Sequence, residues 1–203
     1  MTAPEKTLII ACGALAREIS WLIEINGWDR FDVTCLPANL HNRPQWIPSR
    51  MQEKISAAKK SGKYGKIVVG YGDCGTGGEL DQVLEAEGIE RLPGAHCYEF
   101  YATTKDFDIM VDDEIGSFFL TDYLVRFFDS LIIKGLALDR HPELLPDYFG
   151  AYNRLVYLAQ TEDEALDIKA QKAATRLGLE YHKRFTGYGD LAGFLERHSG
   201  AGG

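Results

Sequence analysis

The stretch Lys66-Ile67-Val68-Val69-Gly70-Tyr71-Gly72-Asp73-Cys74-Gly75-Thr76-Gly77-Gly78-Glu79 decides the fold class. Residues 66–71 form a β-branched apolar run and read as a buried strand. The glycines that follow break it, and a helical pattern opens near Glu79. A strand, a tight loop and a helix make the half-unit of a parallel α/β sheet. Upstream, the apolar run 7–11 ends in Cys12-Gly13, and Leu15, Ile19, Leu22 and Ile23 then fall at i, i+4, i+7 and i+8, one face of a helix. Downstream, a short strand over 89–92 turns at Pro93-Gly94 into Ala95-His96-Cys97-Tyr98-Glu99.

The remaining segments extend this pattern. Residues 31–36 read as a strand, and 37–48 hold too much Pro and Asn for regular structure. Ser49 is placed to cap a helix running to about Ser61. The stretch 117–134 is apolar nearly all round and reads as one helix central to the core. Strands are expected over 154–159 and 180–185, with a helix capped by Thr161 between them. Thr186-Gly187-Tyr188-Gly189 precedes a last helix over 190–197. The expected architecture is a single α/β domain over 1–198. It has a mostly parallel, Rossmann-like sheet of about six strands, helices on both faces, and a disordered tail over 199–203. The 203 residues suffice for one such core.

Composition narrows the function. The net charge of −8 gives no general attraction to nucleic acid phosphates or an anionic membrane surface, so neither is expected as a partner. The most apolar segment, 118–133, is interrupted by Asp122, Arg126 and Asp129 and falls short of a membrane span. The start of the chain has no basic region leading into a cleavable apolar one. A cytoplasmic location with reduced thiols is therefore expected, which leaves a disulfide between two of the cysteines as the weaker alternative.

In open parallel sheets ligands bind beyond the carboxyl ends of the strands. Three of the four cysteines, Cys12, Cys74 and Cys97, each follow a strand beside glycine or histidine, whereas Cys35 lies within a strand and reads as a small buried hydrophobe. Three thiolates on converging loops suit Zn2+, with the fourth position taken by His96, His141, a carboxylate, or an exchangeable water or substrate. They suit a [4Fe-4S] cluster with one open iron equally well. The bland alternative is three unrelated buried thiols, because the spacings of 62 and 23 residues match no local metal motif.

Cys74 also stands near a helix N-terminus, which favours its thiolate, so a metal-free nucleophile with His96 or His141 as base is the competing chemistry. Asp73 and Glu99 are candidates for acid/base work or for orienting a ligand, or else they merely cap helices. Gly13, Gly72, Gly75, Thr76 and Gly77 form loops whose amides can cradle an anion, and Arg43 and Arg140 can clamp a carboxylate or phosphate. Gly70, Gly72 and Gly75 fit a G-x-G-x-x-G spacing, but the motif overlaps the strand and lacks a Walker ending. His182 and His198 read as ordinary exposed residues.

Several motifs together carry a resemblance. They are Ala11-Cys12-Gly13-Ala14-Leu15, Leu40-His41-Asn42-Arg43-Pro44, Tyr71-Gly72-Asp73-Cys74-Gly75-Thr76-Gly77-Gly78, His96-Cys97-Tyr98-Glu99, Leu138-Asp139-Arg140-His141-Pro142 and Thr186-Gly187-Tyr188-Gly189. With these the chain, from Leu8 to Leu195, resembles domain-of-unknown-function family sixteen thirty-eight. The resemblance implies a setting in methyl and one-carbon metabolism beside corrinoid-dependent methyltransferases, with a small anionic or thiol substrate. It names no reaction. No Asp-x-His-x-x-Gly cobalamin pattern is present, which places any corrinoid on another protein. Three kinds of protein stay open: a metalloprotein, a metal-free thiol enzyme using Cys74, and a non-catalytic accessory protein of a corrinoid methyltransferase system.

Overall fold

The computed structural model describes residues 6–102, 107 and 116–200. Its seven described strands are all parallel and fall into two sheets, within a chain that divides into two compact units. The α/β class and the parallel pairing expected from the sequence hold. The strands are distributed four and three rather than in one run of six.

Unit 1 comprises residues 1–100 and 190–203. Its sheet has the order β2-β1-β3-β4, from β1 (Lys6–Cys12), β2 (Phe31–Leu36), β3 (Tyr64–Gly70) and β4 (Glu90–Arg91). The central strand β1 is buried from Thr7 to Cys12, as a strand covered on both faces must be. Each fully buried Ile or Val along β1 and β3 contributes about 1.5–3 kcal/mol of apolar burial. Helices α1 (Ala16–Asn26), α2 (Ile47–Ser61) and α3 (Glu79–Glu87) follow β1, β2 and β3, and each ends on a left-handed glycine: Gly27, Gly62 and Gly88. Ser49 does not cap α2, which begins two residues earlier. Its hydroxyl donates back to the Trp46 carbonyl instead.

Unit 2 comprises residues 101–189 and carries β5 (Ser117–Thr121), β6 (Arg154–Ala159) and β7 (Glu180–Phe185) in that order. The stretch read as one helix over 117–134 is instead strand β5, a short helix α4 (Asp122–Arg126) and a π-helical turn, Asp129–Ile133. A continuous apolar run has no period with which to separate a buried strand from a buried helix. The pairing Phe119↔Val156 and Leu120↔Tyr157 decides the matter. Helices α5 (Leu145–Phe149) and α6 (Glu164–Leu177) also belong to the unit, with Leu120, Phe149, Leu155, Tyr157, Leu166 and Leu177 in one core. Asp163 rather than Thr161 caps α6, accepting from the amides of Ala165 and Leu166. The Thr161 hydroxyl donates instead to buried Asp122.

The last helix, α7 (Gly189–His198), belongs to unit 1 from Asp190 onward. His198 is buried and not exposed as expected: its Nδ1 lies 2.8 Å from the Lys66 Nζ. Ser199, placed by the sequence in a disordered tail, is also buried, and its hydroxyl donates to Glu196; residues 201–203 lie outside the described residues.

Candidate functional site

The carboxyl ends of β1, β2, β3 and β4 lie side by side, and the loop leaving each one carries a soft or imidazole donor. Cys12 ends β1, His41 sits in the 3-10 turn Ala38–Asn42 after β2, Cys74 follows β3, and Cys97 opens the 3-10 turn Cys97–Tyr101 after β4. These four side chains interact. The sulfurs of Cys74 and Cys97 are 3.3 Å apart, and each has a further electrostatic partner in the set, Cys12 for Cys97 and His41 for Cys74.

Backbone contacts between loops enforce this convergence. The Asp73 amide donates to the Gly94 carbonyl at 3.1 Å, and the Cys74 amide donates to Ala95 at 2.7 Å, so the Cys74 and Cys97 loops run paired. Gly72 permits that approach: a Cβ there would stand 3.0 Å from the backbone carbon of His96. Gly13 does the same between the β1 and β2 loops, where a Cβ would meet the Leu36 carbonyl oxygen at 3.1 Å. Cys74 itself has φ 51°, a left-handed conformation that costs a non-glycine residue energy and persists only where the surroundings impose it.

The electrostatics single out one sulfur. Cys74 is held down to about 5, first by the hydrogen bond from Cys97, against burial, and further by the hydrogen bond and charge of His41 and by the Cys97 amide. Cys12 is also lowered, chiefly by Cys97 and against burial. Cys97 is raised well above an ordinary thiol, first by Cys12 and Cys74 and then by burial. The hydrogen bond to Cys74 in turn raises His41, outweighing burial. Cys12 and Cys74 are buried, Cys97 is half-buried and His41 is exposed.

Tyr71 is 1% exposed, and its hydroxyl is within electrostatic reach of all three sulfurs. Burial, and then the sulfurs' charges, push its ionisation far up. It finds no acceptor at good hydrogen-bond geometry among the described residues, although Cys12 is its nearest electrostatic partner.

Other sequence candidates support the loops. Asp73 accepts from the Thr76 hydroxyl at 2.6 Å and from the amides of Gly78 and Gly77 at 2.8 and 3.2 Å. Burial raises its carboxyl, but these donors outweigh it and hold the group below the usual range. The amides that a phosphate would use are thus already engaged by Asp73. Gly75 and Gly77 supply the left-handed turns of this loop. Glu99 reaches back to the amides of Ala95 and His96 at 3.0 and 2.9 Å and clamps the Cys97 loop. Arg43 stacks over Trp46 at 4.9 Å. The His96 ring stacks on Tyr98 at 4.8 Å, with its Nδ1 buried and unpartnered among the described residues. Arg140 and His141 belong to unit 2, where both are exposed and His141 Nδ1 lies 3.1 Å from Glu143.

Two contributors escaped the sequence reading. His41 was legible only as part of a His-Asn-Arg-Pro turn. Arg91, bidentate to Asp81, donates to the carbonyls of Leu92 and Gly94 and so braces the Cys97 loop. Applying the carboxyl-end rule evenly to every strand, β2 included, would have found His41.

Fold and site together define an α/β protein with a thiol–imidazole cluster built on four adjacent parallel strands. Residues 35–195 match the family described as proteins of unknown function, DUF1638, and the chain belongs to that family. The match takes in His41, Cys74 and Cys97. No curated protein and no solved structure matches the chain.

Proposed function

We propose that the four loops hold one soft divalent metal ion, Zn2+, through Cys12, Cys74 and Cys97, with His41 as the fourth donor, in an enzyme or accessory factor of methyl and one-carbon metabolism. The observation that carries this reading is the donor set itself: three thiols and an imidazole, one from each of four parallel strands. Among the described residues no group of three or more His, Cys, Asp or Glu is placed so that it could hold a metal ion, so binding requires these side chains to move. The 3.3 Å between Cys74 and Cys97 is that of hydrogen-bonded thiols. Thiolates sharing a tetrahedral zinc lie roughly 3.8 Å apart, so the Cys74–Cys97 pair alone would have to open by about half an ångström. Thiolate donors favour zinc or an iron–sulfur cluster over hard cations.

A bound zinc supplies Lewis-acid activation of a thiol or small anion. The chain's own groups do the rest. Cys12 and Cys74 release protons readily, Tyr71 offers a buried hydroxyl donor, and His41 is the exposed member of the set. The placement in methyl metabolism rests on the family resemblance, and the metal rests on the donors. The test is elemental analysis and visible absorbance after anaerobic purification. One zinc per chain, lost in Cys12→Ser, Cys74→Ser and Cys97→Ser and retained in His96→Ala and Cys35→Ser, supports the reading. Substoichiometric metal unchanged by Cys74→Ser sinks it, and a brown protein with broad visible absorbance replaces zinc by iron–sulfur.

A second reading is favoured by the donors that meet at one sulfur. Cys74 accepts from Cys97, from the Cys97 amide and from His41, the arrangement of a metal-free nucleophilic thiolate. That reading expects one cysteine to alkylate far faster than the others in metal-free protein. Uniformly slow labelling removes it.

A further inference from the structure

Cys74 and Cys97 stand 23 residues apart in the chain with their sulfurs in contact at 3.3 Å. The backbone on either side holds them there: the amide of Cys74 is bonded to Ala95, that of Asp73 to Gly94, and Gly72 packs against the backbone of His96. A disulfide bond is about 2.05 Å long, so the sulfurs need to close by roughly 1.2 Å, a side-chain movement between loops already paired. Cys35 lies within β2, and Cys12 ends a regular strand.

We infer that Cys74 and Cys97 form a reversible redox pair, a modification site at which a two-electron oxidant such as hydrogen peroxide closes a disulfide. The step is balanced. The Cys74 thiolate, beside His41, displaces hydroxide from the peroxide to give a sulfenic acid. The Cys97 sulfur then attacks that sulfur, loses its proton, and expels water. Two thiols and one peroxide become one disulfide and two waters. Transient disulfides of this kind are the ones that reducing compartments tolerate. For its consequence the inference rests on the metal reading: closure removes two of the three proposed thiolate ligands, so oxidation releases the metal.

The test uses the wild-type chain, first stripped of metal with a chelator and treated with one equivalent of hydrogen peroxide. Trypsin places the four cysteines on separate peptides, residues 7–17, 31–50, 67–91 and 92–105. The expected product is a single linkage between 67–91 and 92–105, with loss of two titratable thiols per chain and full recovery on reduction with dithiothreitol. A Cys35→Ser chain behaves the same, and a Cys97→Ser chain gives a sulfenic acid trapped by dimedone on 67–91. A linkage through 7–17, or sulfinic acid without any linkage, overturns the inference. Zinc release from metal-loaded protein is followed separately. A 74–97 linkage in a protein that never holds zinc leaves the redox pair standing and the metal reading fallen. Zinc held by the three sulfurs with no such linkage does the reverse.

Discussion

The Gly72 Cα faces the backbone of His96 so closely that a side chain there would stand 3.0 Å from the His96 carbonyl carbon. This contact joins the loop after β3 to the loop after β4 and sets Cys74 against Cys97. Gly72→Ala is therefore expected to part the two loops. It should lower stability by about 1–3 kcal/mol, as overpacking does, and reduce zinc stoichiometry well below that of wild type. Chemical denaturation and elemental analysis on the same preparation check both effects.

His41→Asn removes the imidazole that hydrogen-bonds to Cys74 and supports its thiolate. In metal-free protein the pH profile of iodoacetamide labelling at Cys74 should shift upward from its low wild-type midpoint towards that of an ordinary thiol. Labelling of Cys35, half-buried on β2, should not follow it.

Asp73→Ala removes the acceptor for Thr76 and for the Gly77 and Gly78 amides at the mouth of α3. A loss of about 0.5–1.5 kcal/mol is expected, the usual net worth of an intramolecular hydrogen bond. Asp73→Asn, which keeps one acceptor oxygen, should lose less. Urea denaturation of the two variants beside wild type gives the order.

In unit 2, buried Asp122 accepts from Tyr157 at 2.7 Å, Thr161 at 2.6 Å and the Gln160 amide at 3.0 Å. Asp122→Ala leaves those donors buried and unpaired, which should cost on the order of 3 kcal/mol. Amide exchange should show the loss in the β5–β6 region.

His198 is buried against Lys66 and Phe194, with Glu90 at 3.5 Å, and burial followed by the Lys66 charge lowers its pKa below the usual 6.5. The unfolded chain then binds this proton at a higher pH than the folded one. The neutral ring is fully compatible with folding above about pH 6.5, and stability falls as pH drops from there through the folded pKa. His198→Gln should flatten that limb of a stability–pH curve measured by denaturation between pH 7 and pH 5.

Much of the fold was legible because period and length agreed with burial. Residues 154–159 and 180–185 read as strands and are strands. The run 117–134 was illegible because Phe118, Phe119 and Leu120 are apolar whichever way the chain turns, and only pairing with β6 makes them a strand. The three site cysteines were legible as residues that follow strands. Their imidazole partner was not, because His96 is next to Cys97 in sequence, while the ring that reaches a sulfur comes from a 3-10 turn on the far side of β1. The roles of Asp73 and Glu99 as loop clamps depend on amides that curl back towards them, which residue type alone does not show.

The central claim is that Cys12, Cys74, Cys97 and His41 form one metal-binding set. Zinc-edge X-ray absorption on anaerobically purified protein tests it most directly. About three sulfurs near 2.3 Å and one nitrogen near 2.0–2.1 Å are expected. In His41→Asn the nitrogen of that shell is replaced by another light atom while the sulfurs remain. A shell of oxygen and nitrogen alone, or a protein that retains no zinc, would contradict it.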